Sequence, residues 1–164
     1  MDSSEQITMK GKEPIDKKID LVLEHRVPRR TTCRVKTKIY HLKLRGETTA
    51  DETLTDELSC IRRLHEISQT CDLVPASIFL VKGSFSQDEE EEEEALLIEH
   101  VEGNPITPES PDEAIREAFR GLAMINQVGI RHCDIKPQHV LVSTSSSSSS
   151  YRVRFIDFGI AIDL

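Results

Sequence analysis

The chain has 164 residues and a formal net charge of −8 at neutral pH, from 21 lysines and arginines against 29 aspartates and glutamates. This balance argues against a nucleic-acid-binding module, which needs a basic face. Seven acidic residues fall in the single stretch 88–94, so the excess negative charge is local. A hydrophobic fraction of 37% allows one domain with one modest core.

The first residues, 1–18, combine charged and hydroxyl side chains without an apolar run. This composition predicts a disordered tail rather than a secretory signal or a membrane anchor. No later stretch approaches the roughly 18 apolar residues of a spanning helix, so we expect no membrane partner. The four cysteines lack zinc-ligand spacing, which is typical of reduced thiols and predicts a cytoplasmic or nuclear location.

Short apolar runs bounded by polar clusters predict strands. They occupy 21–23, 32–36, 39–44, 78–81, 95–98, 140–142 and 153–156. An acidic stretch, 87–94, separates one pair of runs, and a serine-rich stretch, 143–150, separates another. We therefore interpret both low-complexity stretches as hairpin loops.

Helical periodicity appears twice. The first stripe predicts a helix over 53–68 and consists of Leu54, Leu58, Ile61, Leu64 and Ile67. The second helix is expected to begin with Ser110 as its cap and to end in a left-handed turn at Gly129. Its predicted stripe is Ile115, Phe119, Leu122 and Ile125. The element order predicts a mixed α+β fold with an antiparallel sheet.

Two motifs carry the chemistry: His132-Cys-Asp134-Ile-Lys136-Pro-Gln-His139, and Phe155-Ile-Asp157-Phe-Gly159 after a hairpin. Together they resemble the catalytic loop and the Asp-Phe-Gly motif of the protein kinase-like superfamily. Taken singly, each aspartate would be read as an ordinary turn residue.

The resemblance implies a protein kinase-like domain over 19–164. It would have an antiparallel N-lobe sheet with one helix at about 19–98 and a hinge at 99–103. A partial C-lobe at 104–164 would hold a helix, the catalytic loop and a β-hairpin.

Phosphoryl transfer passes through a highly charged transition state, which requires an oriented hydroxyl and cations on the phosphate oxygens. By the resemblance, Asp134 accepts or orients the hydroxyl proton and Lys136 steadies the transferred group. Asp157 would bind Mg²⁺, with His139 at the second metal position. ATP and Mg²⁺ are the cofactors that the resemblance implies.

The resemblance also implies a nucleotide site. Adenine would bond to the Glu99 carbonyl and the Val101 amide, with Leu141 beneath the ring. Lys43, held by Glu57, would reach the phosphates. The alternatives are a plain buried strand at 96–101 and solvated surface charges, and Lys36, Lys38 and Glu52 are rivals for the lysine–glutamate pair.

Several features depart from the family pattern. No glycine lies between 12 and 45, so the glycine-rich phosphate lid is missing, and Cys133 replaces the arginine that usually precedes the catalytic aspartate. His139 replaces a metal-binding asparagine, and imidazole suits softer ions than Mg²⁺. A transition-metal site of His132, Cys133 and His139 is an alternative to a structural role for His132 beneath the loop.

The sequence ends five residues after Gly159. We therefore expect a truncated C-lobe and an exposed apolar patch on the second helix.

Lys136 followed by proline resembles serine/threonine kinases, so the leading hypothesis is phosphoryl transfer from ATP to a protein hydroxyl. The alternatives are an inactive pseudokinase or scaffold, a gene-model fragment, and a small-molecule phosphotransferase of the aminoglycoside or choline type. The expected partners are ATP and a protein substrate or binding protein.

Overall fold

The coordinates are a computed structural model, and the structure describes residues 6–7, 10–11, 21–27, 30–35, 38–44, 54–83, 93–144 and 150–163. The fold is mixed α+β, with antiparallel sheets. The chain forms two compact units. The first comprises Met1–Leu58 and Ser77–His100, and the second comprises Ser59–Ala76 and Val101–Leu164.

Within the described ranges, the first unit contains one seven-stranded sheet with the order β1-β3-β4-β5-β7-β6-β2. Its strands are β1 (Gln6–Ile7), β2 (Lys10–Gly11), β3 (Leu21–Val27), β4 (Arg30–Val35), β5 (Lys38–Leu44), β6 (Ile78–Gly83) and β7 (Glu93–Glu99). The predicted strands at 21–23, 32–36, 39–44, 78–81 and 95–98 are confirmed, with small differences at their ends.

The sheet is antiparallel throughout, and β5 pairs with β7 rather than with the next strand along the chain. Strand β7 lies in the interior of the sheet, between β5 and β6. The side chains of Ala95, Leu96 and Leu97 are at most 1% exposed. A run buried without alternation is typical of a strand covered on both faces.

Two very short strands lie in the interval that composition predicts to be a tail. Strand β1 pairs with β3, and β2 pairs with β6, each over two residues. The other residues of 1–18 lie outside the described residues. Backbone pairing does not depend on side-chain hydrophobicity, so the polar composition of this interval gives no signal for these strands.

Helix α1 (Leu54–Glu66) passes from the first unit into the second. Its stripe is confirmed, because Leu54, Leu58, Ile61 and Leu64 are buried. Ile67 lies just beyond the helix and is half-buried. The chain then makes a short 3-10 turn at Cys71–Leu73, which packs with the second unit.

The second unit is built around helix α2 (Asp112–Gln127) and a hairpin of β10 (Val140–Thr144) and β11 (Tyr151–Phe155). The hairpin is antiparallel and confirms the predicted strands at its two sides. Strand β8 (Asn104–Pro105) adds to β10, and β9 (Ile130–Arg131) pairs with β12 (Ile162–Asp163). These last three strands have two residues each, which is too short for periodicity to indicate.

The start of α2 differs from the prediction. The N-cap is Pro111, without a side-chain cap bond. The Ser110 hydroxyl instead accepts a hydrogen bond from the Thr107 amide at 2.9 Å. Serine competes for nearby backbone amides in turns as readily as at helix starts. The predicted Ser110 cap is therefore wrong.

The buried face of α2 is also rotated from the predicted one. Its buried residues are Ala114, Ala118, Gly121 and Ile125, whereas Phe119 is 71% exposed. Small residues let the helix approach β11 closely, and hydrophobicity alone ranks phenylalanine above them. Of the predicted stripe, Ile125 is buried, Ile115 and Leu122 are half-buried, and Phe119 alone is exposed.

Two glycines stand where the backbone requires them. Gly129 follows the end of α2 with φ 87°, and its amide bonds to the Asn126 carbonyl, as predicted for a left-handed helix end. Gly103 has φ 152°, and a Cβ there would lie 3.0 Å from the Val142 carbonyl oxygen.

Neither helix in the described part of the chain has the length and apolarity that crossing a membrane requires.

Candidate active site

The predicted catalytic loop lies in the second unit, between β9 and a 3-10 turn at Pro137–His139. Cys133 adopts a left-handed backbone with φ 62°. Such a conformation is uncommon for a residue with a side chain and concentrates at functional turns. The chain bends at Cys133. His132 before it is buried, and Asp134 after it is partly exposed.

His132 anchors the loop from below. Its side chain is buried, its Nε2 donates to the Ile156 carbonyl at 2.9 Å, and its ring lies 4.4 Å from that of Phe158. Nδ1 is then the acceptor, and the Asp134 amide lies 3.4 Å from it. Burial lowers the pKa of His132, although the bond to Ile156 opposes this shift. The structural role expected for His132 is confirmed.

Asp134 and Lys136 form an ion pair at the surface of the loop. Lys136 Nζ donates to Asp134 Oδ2 at 2.8 Å. This hydrogen bond is the main reason why the pKa of Asp134 is lowered. Asp134 therefore presents a charged carboxylate, with one oxygen already held by an ammonium group.

His139 is buried and lies between Asp134, the predicted catalytic aspartate, and Asp157, the predicted metal ligand. Its Nδ1 is 2.9 Å from the backbone carbonyl oxygen of Asp134, and its Nε2 is 3.2 Å from Oδ2 of Asp157. The His139 amide bonds to the Lys136 carbonyl, and its own carbonyl accepts from Ile156. These backbone bonds fix the imidazole between the loop and the segment that follows β11.

Asp157 follows β11 in a left-handed conformation with φ 64°. The ligand atoms of Asp134, His139 and Asp157 all lie within 4.8 Å of one another. Carboxylate oxygens suit Mg²⁺, whereas an imidazole nitrogen suits first-row transition metals better. The donor set therefore fits a divalent cation, with Asp157 and His139 best placed to hold it.

The alternative transition-metal set of His132, Cys133 and His139 is not assembled. His132 Nε2 is engaged by the Ile156 carbonyl, and the Cys133 thiol donates to the Arg131 carbonyl at 3.4 Å. Among the residues that the structure describes, the cluster with metal-ligand spacing is the one with the two aspartates.

Lys43 and Glu57 are brought together in the first unit. Lys43 Nζ donates to Glu57 Oε2 at 2.9 Å, with the glutamate side chain 1% exposed and the lysine side chain 20% exposed. A carboxylate this deeply buried requires a compensating partner. The structure thus pairs a lysine on β5 with a glutamate in the first turn of α1. The side chains of the rivals Lys36, Lys38 and Glu52 lie outside the described residues.

The three remaining predicted residues are spread over both units. Glu99 ends β7 in the first unit, where its amide and its carboxylate bond to the carbonyl and the hydroxyl of Ser77. Val101 is buried in the second unit. Leu141 is half-buried on β10, where it pairs with Pro105 and Arg154.

Sequence reasoning missed two features of the cluster. One is the Asp134 carbonyl, which orients the His139 ring, and the other is the tilted packing of the Phe158 ring against His132. The first has no signal in the sequence, since any residue supplies a carbonyl. The second could have been suspected from the buried phenylalanine that follows Asp157.

Comparisons with known proteins find partial similarity to serine/threonine kinases. Over 64 residues the chain is 39% identical to the serine/threonine-protein kinase PknB of Mycobacterium tuberculosis, covering 39% of this chain and 9% of that protein. It is 31% identical over 70 residues to a probable serine/threonine-protein kinase BUD32 homolog of Archaeoglobus fulgidus, covering 43% and 33%. It is 37% identical over 49 residues to CAK1 of Saccharomyces cerevisiae, covering 30% and 13%.

No protein-family profile matches the chain. The matched stretches span between about a tenth and a third of these relatives' own length. The similarity is short but recurs across bacterial, archaeal and yeast kinases. Together with the mixed α+β architecture, these matches support a protein kinase-like relationship for this chain.

Proposed function

We propose that the protein binds ATP and transfers its γ-phosphoryl group to a serine or threonine hydroxyl of a protein. The observation that carries the proposal is the convergence of Asp134, Lys136, His139 and Asp157 in one cluster of the second unit. The short similarities to serine/threonine kinases support the same reaction class.

The chain's own residues divide the work as follows. The Asp134 carboxylate, kept charged by Lys136, orients the acceptor hydroxyl and takes its proton. The hydroxyl oxygen forms a bond to the γ-phosphorus, while the bond from that phosphorus to the bridging oxygen breaks and ADP leaves. Lys136 neutralises charge on the phosphoryl oxygens. A divalent cation at His139 and Asp157 would supply further charge neutralisation when bound.

We further propose that the nucleotide is bound by the residues that the resemblance indicates. Lys43, held by Glu57, would contact the phosphates, while the Glu99 carbonyl and the Val101 amide would bond to adenine above Leu141. The buried Lys43–Glu57 ion pair supports this proposal. Burying charged groups costs free energy, and such groups are concentrated at functional sites.

The test compares γ-phosphate transfer by the wild type with transfer by Asp134→Asn, using a mixture of protein substrates. Removal of the acceptor carboxylate should lower transfer by about a hundredfold or more, since oriented proton acceptance contributes roughly 10²–10⁴-fold. The matched control is Asp112→Asn, at the exposed start of α2, which should transfer at the wild-type rate. Equal transfer by the wild type and Asp134→Asn would reject catalysis by this site.

A second candidate is a pseudokinase that binds nucleotide without transferring phosphate. His139 favours it, because imidazole replaces the oxygen ligand that the resemblance leads one to expect. Thermal denaturation with and without ATP and metal separates the two, since a ligand that binds only the folded state raises the melting temperature. Stabilisation that Asp157→Ala abolishes, with no transfer by the wild type, would favour the pseudokinase.

A further inference from the structure

We propose that His139 and Asp157, with Asp134 as a third donor, form a site that prefers a divalent first-row transition-metal ion to Mg²⁺. The inference deepens the function proposed above and rests on it for the purpose of the metal. Its geometry comes from contacts within the second unit alone.

The first step concerns the orientation of the imidazole. His139 Nδ1 lies 2.9 Å from the Asp134 carbonyl oxygen, and a carbonyl oxygen can only accept a hydrogen bond. Nδ1 therefore carries a hydrogen. In the neutral ring, Nε2 is then the nitrogen with a free lone pair.

The second step concerns what Nε2 faces. Asp157 Oδ2 lies 3.2 Å from it, and the imidazole is buried. A lone pair facing a carboxylate is unfavourable unless a cation or a proton lies between them. A carbonyl that holds the opposite ring nitrogen of a metal-binding histidine is a common arrangement in metal sites, where it fixes the tautomer.

The third step concerns distances. An ion about 2.1 Å from both Nε2 and Oδ2, the usual length of such bonds, would subtend an angle of about 100° across a separation of 3.2 Å. That angle lies between octahedral and tetrahedral values. The carboxylate of Asp134 is within 4.8 Å of both other ligand atoms, so a modest shift would bring it to the same ion.

The choice of metal follows from the donor atoms. Mg²⁺ prefers oxygen ligands in octahedral geometry, whereas Mn²⁺, Co²⁺ and Zn²⁺ accept a mixture of imidazole and carboxylate. Lys136 already bonds to one oxygen of Asp134. Fewer carboxylate oxygens therefore remain for a metal ion, and the nitrogen of His139 contributes more to its binding. An ion that gains from nitrogen should therefore bind more tightly than Mg²⁺.

The experiment titrates the metal-free chain with MnCl₂ and with MgCl₂, without nucleotide, by isothermal calorimetry. In the wild type, Mn²⁺ should bind at least about tenfold more tightly than Mg²⁺. In His139→Asn, which replaces the nitrogen by an amide oxygen, this preference should fall by about tenfold. Pulsed EPR of bound Mn²⁺ should show coupling to a ¹⁴N nucleus in the wild type and none in His139→Asn.

A matched control excludes a second pair of histidines. His41 Nε2 and His100 Nδ1 lie 2.7 Å apart at the surface of the first unit. The variant His100→Asn removes this pair and should retain both the Mn²⁺ preference and the ¹⁴N coupling. Their loss in His100→Asn would overturn the proposal and assign the metal to the surface pair.

Two further results would overturn it. If the wild type binds Mn²⁺ and Mg²⁺ equally well, or if ¹⁴N coupling persists in His139→Asn, then His139 does not select the metal. Should His139→Asn fail to fold by circular dichroism, Asp157→Asn decides instead. It removes the carboxylate donor and keeps the imidazole, so it should weaken Mn²⁺ binding by about tenfold or more, and unchanged Mn²⁺ affinity would overturn the proposal.

The metal site and the proposed function fail separately. Absence of phosphoryl transfer with an intact Mn²⁺ preference would reject only the reaction. Transfer supported by Mg²⁺ in a protein without that preference would reject only the metal assignment.

Discussion

His132 shows how one buried side chain makes stability depend on pH. Burial of its ring against Phe158 lowers the pKa of His132, although the hydrogen bond from Nε2 to the Ile156 carbonyl opposes this shift. In the unfolded chain the same imidazole titrates near its ordinary pKa of about 6.5. Below that pH the unfolded state binds more protons than the folded state, so the free energy of unfolding falls as pH falls.

We therefore expect the wild type to lose stability between pH 7 and 5.5, with a contribution from this residue of at most about 1.4 kcal/mol per pH unit. Urea unfolding at several pH values, in the presence of EDTA, measures the slope. His132→Gln should lower stability at pH 8 but flatten the slope below pH 6.5. Parallel curves for the two proteins would show that another group controls the dependence.

At the residue scale, the chemistry could be predicted from sequence but its arrangement could not. The spacing of Asp134, Lys136 and Asp157 in two motifs carried enough information to propose a shared site, and the structure brings Asp134 and Asp157 together with His139. The direction in which His139 points depends on a backbone carbonyl and on two left-handed residues, Cys133 and Asp157. A cysteine or an aspartate in the sequence does not predict a left-handed backbone, because glycine is the residue that usually adopts it.

At the scale of single elements, α2 is the clearest case of packing that overrides a hydrophobic pattern. A methyl group added at Gly121 would lie 2.9 Å from Cε2 of Phe155 and 3.2 Å from Cδ2 of Leu73. Phe155 is 1% exposed and has little room to move. The periodicity of large residues predicted a face through Phe119, whereas the fit of β11 requires the smallest residue of the helix.

Gly121→Ala should accordingly destabilise the protein by about 1 kcal/mol. Alanine gains about 1 kcal/mol in helix propensity, but overpacking a rigid core typically costs about 1–3 kcal/mol. The control is Asn126→Ala on the exposed side of α2, which gains propensity without a clash. Urea denaturation of the three proteins measures both effects, and a Gly121→Ala protein as stable as the control would contradict the packing argument.

At the scale of the whole molecule, the predicted site residues are divided between two units. The Lys43–Glu57 pair belongs to the first, and the cluster of Asp134, His139 and Asp157 belongs to the second. The general class of fold could be predicted from the element order. The contact between the turn at Cys71–Leu73 and β11 could not, because it joins residues that are distant in sequence.

This division makes one variant informative about both units. Lys43→Met should lower phosphoryl transfer by about a hundredfold, as expected when a charged group at the reacting phosphates is removed. It should also lower the melting temperature, because buried Glu57 loses an ammonium partner. Mn²⁺ affinity should stay unchanged, since all three proposed metal ligands lie in the second unit.

Lys82→Met, on β6 of the same sheet, removes one positive charge from an exposed side chain and serves as the control. It should leave transfer and melting close to those of the wild type. If both variants behave alike in transfer and melting, Lys43 contributes only net charge. A loss of Mn²⁺ binding in Lys43→Met would contradict the separation of the two sites.

The two hairpins are paired up to the last residues described on either side of their low-complexity connections. Gly83 lies opposite Glu93, and Thr144 lies opposite Tyr151. The strand ends are thus already adjacent, and the entropic cost of joining them rises only slowly with linker length. Both junctions are therefore natural places to splice in a fluorescent reporter or an affinity tag, with the register of the sheets and the composition of the metal-ligand cluster left intact.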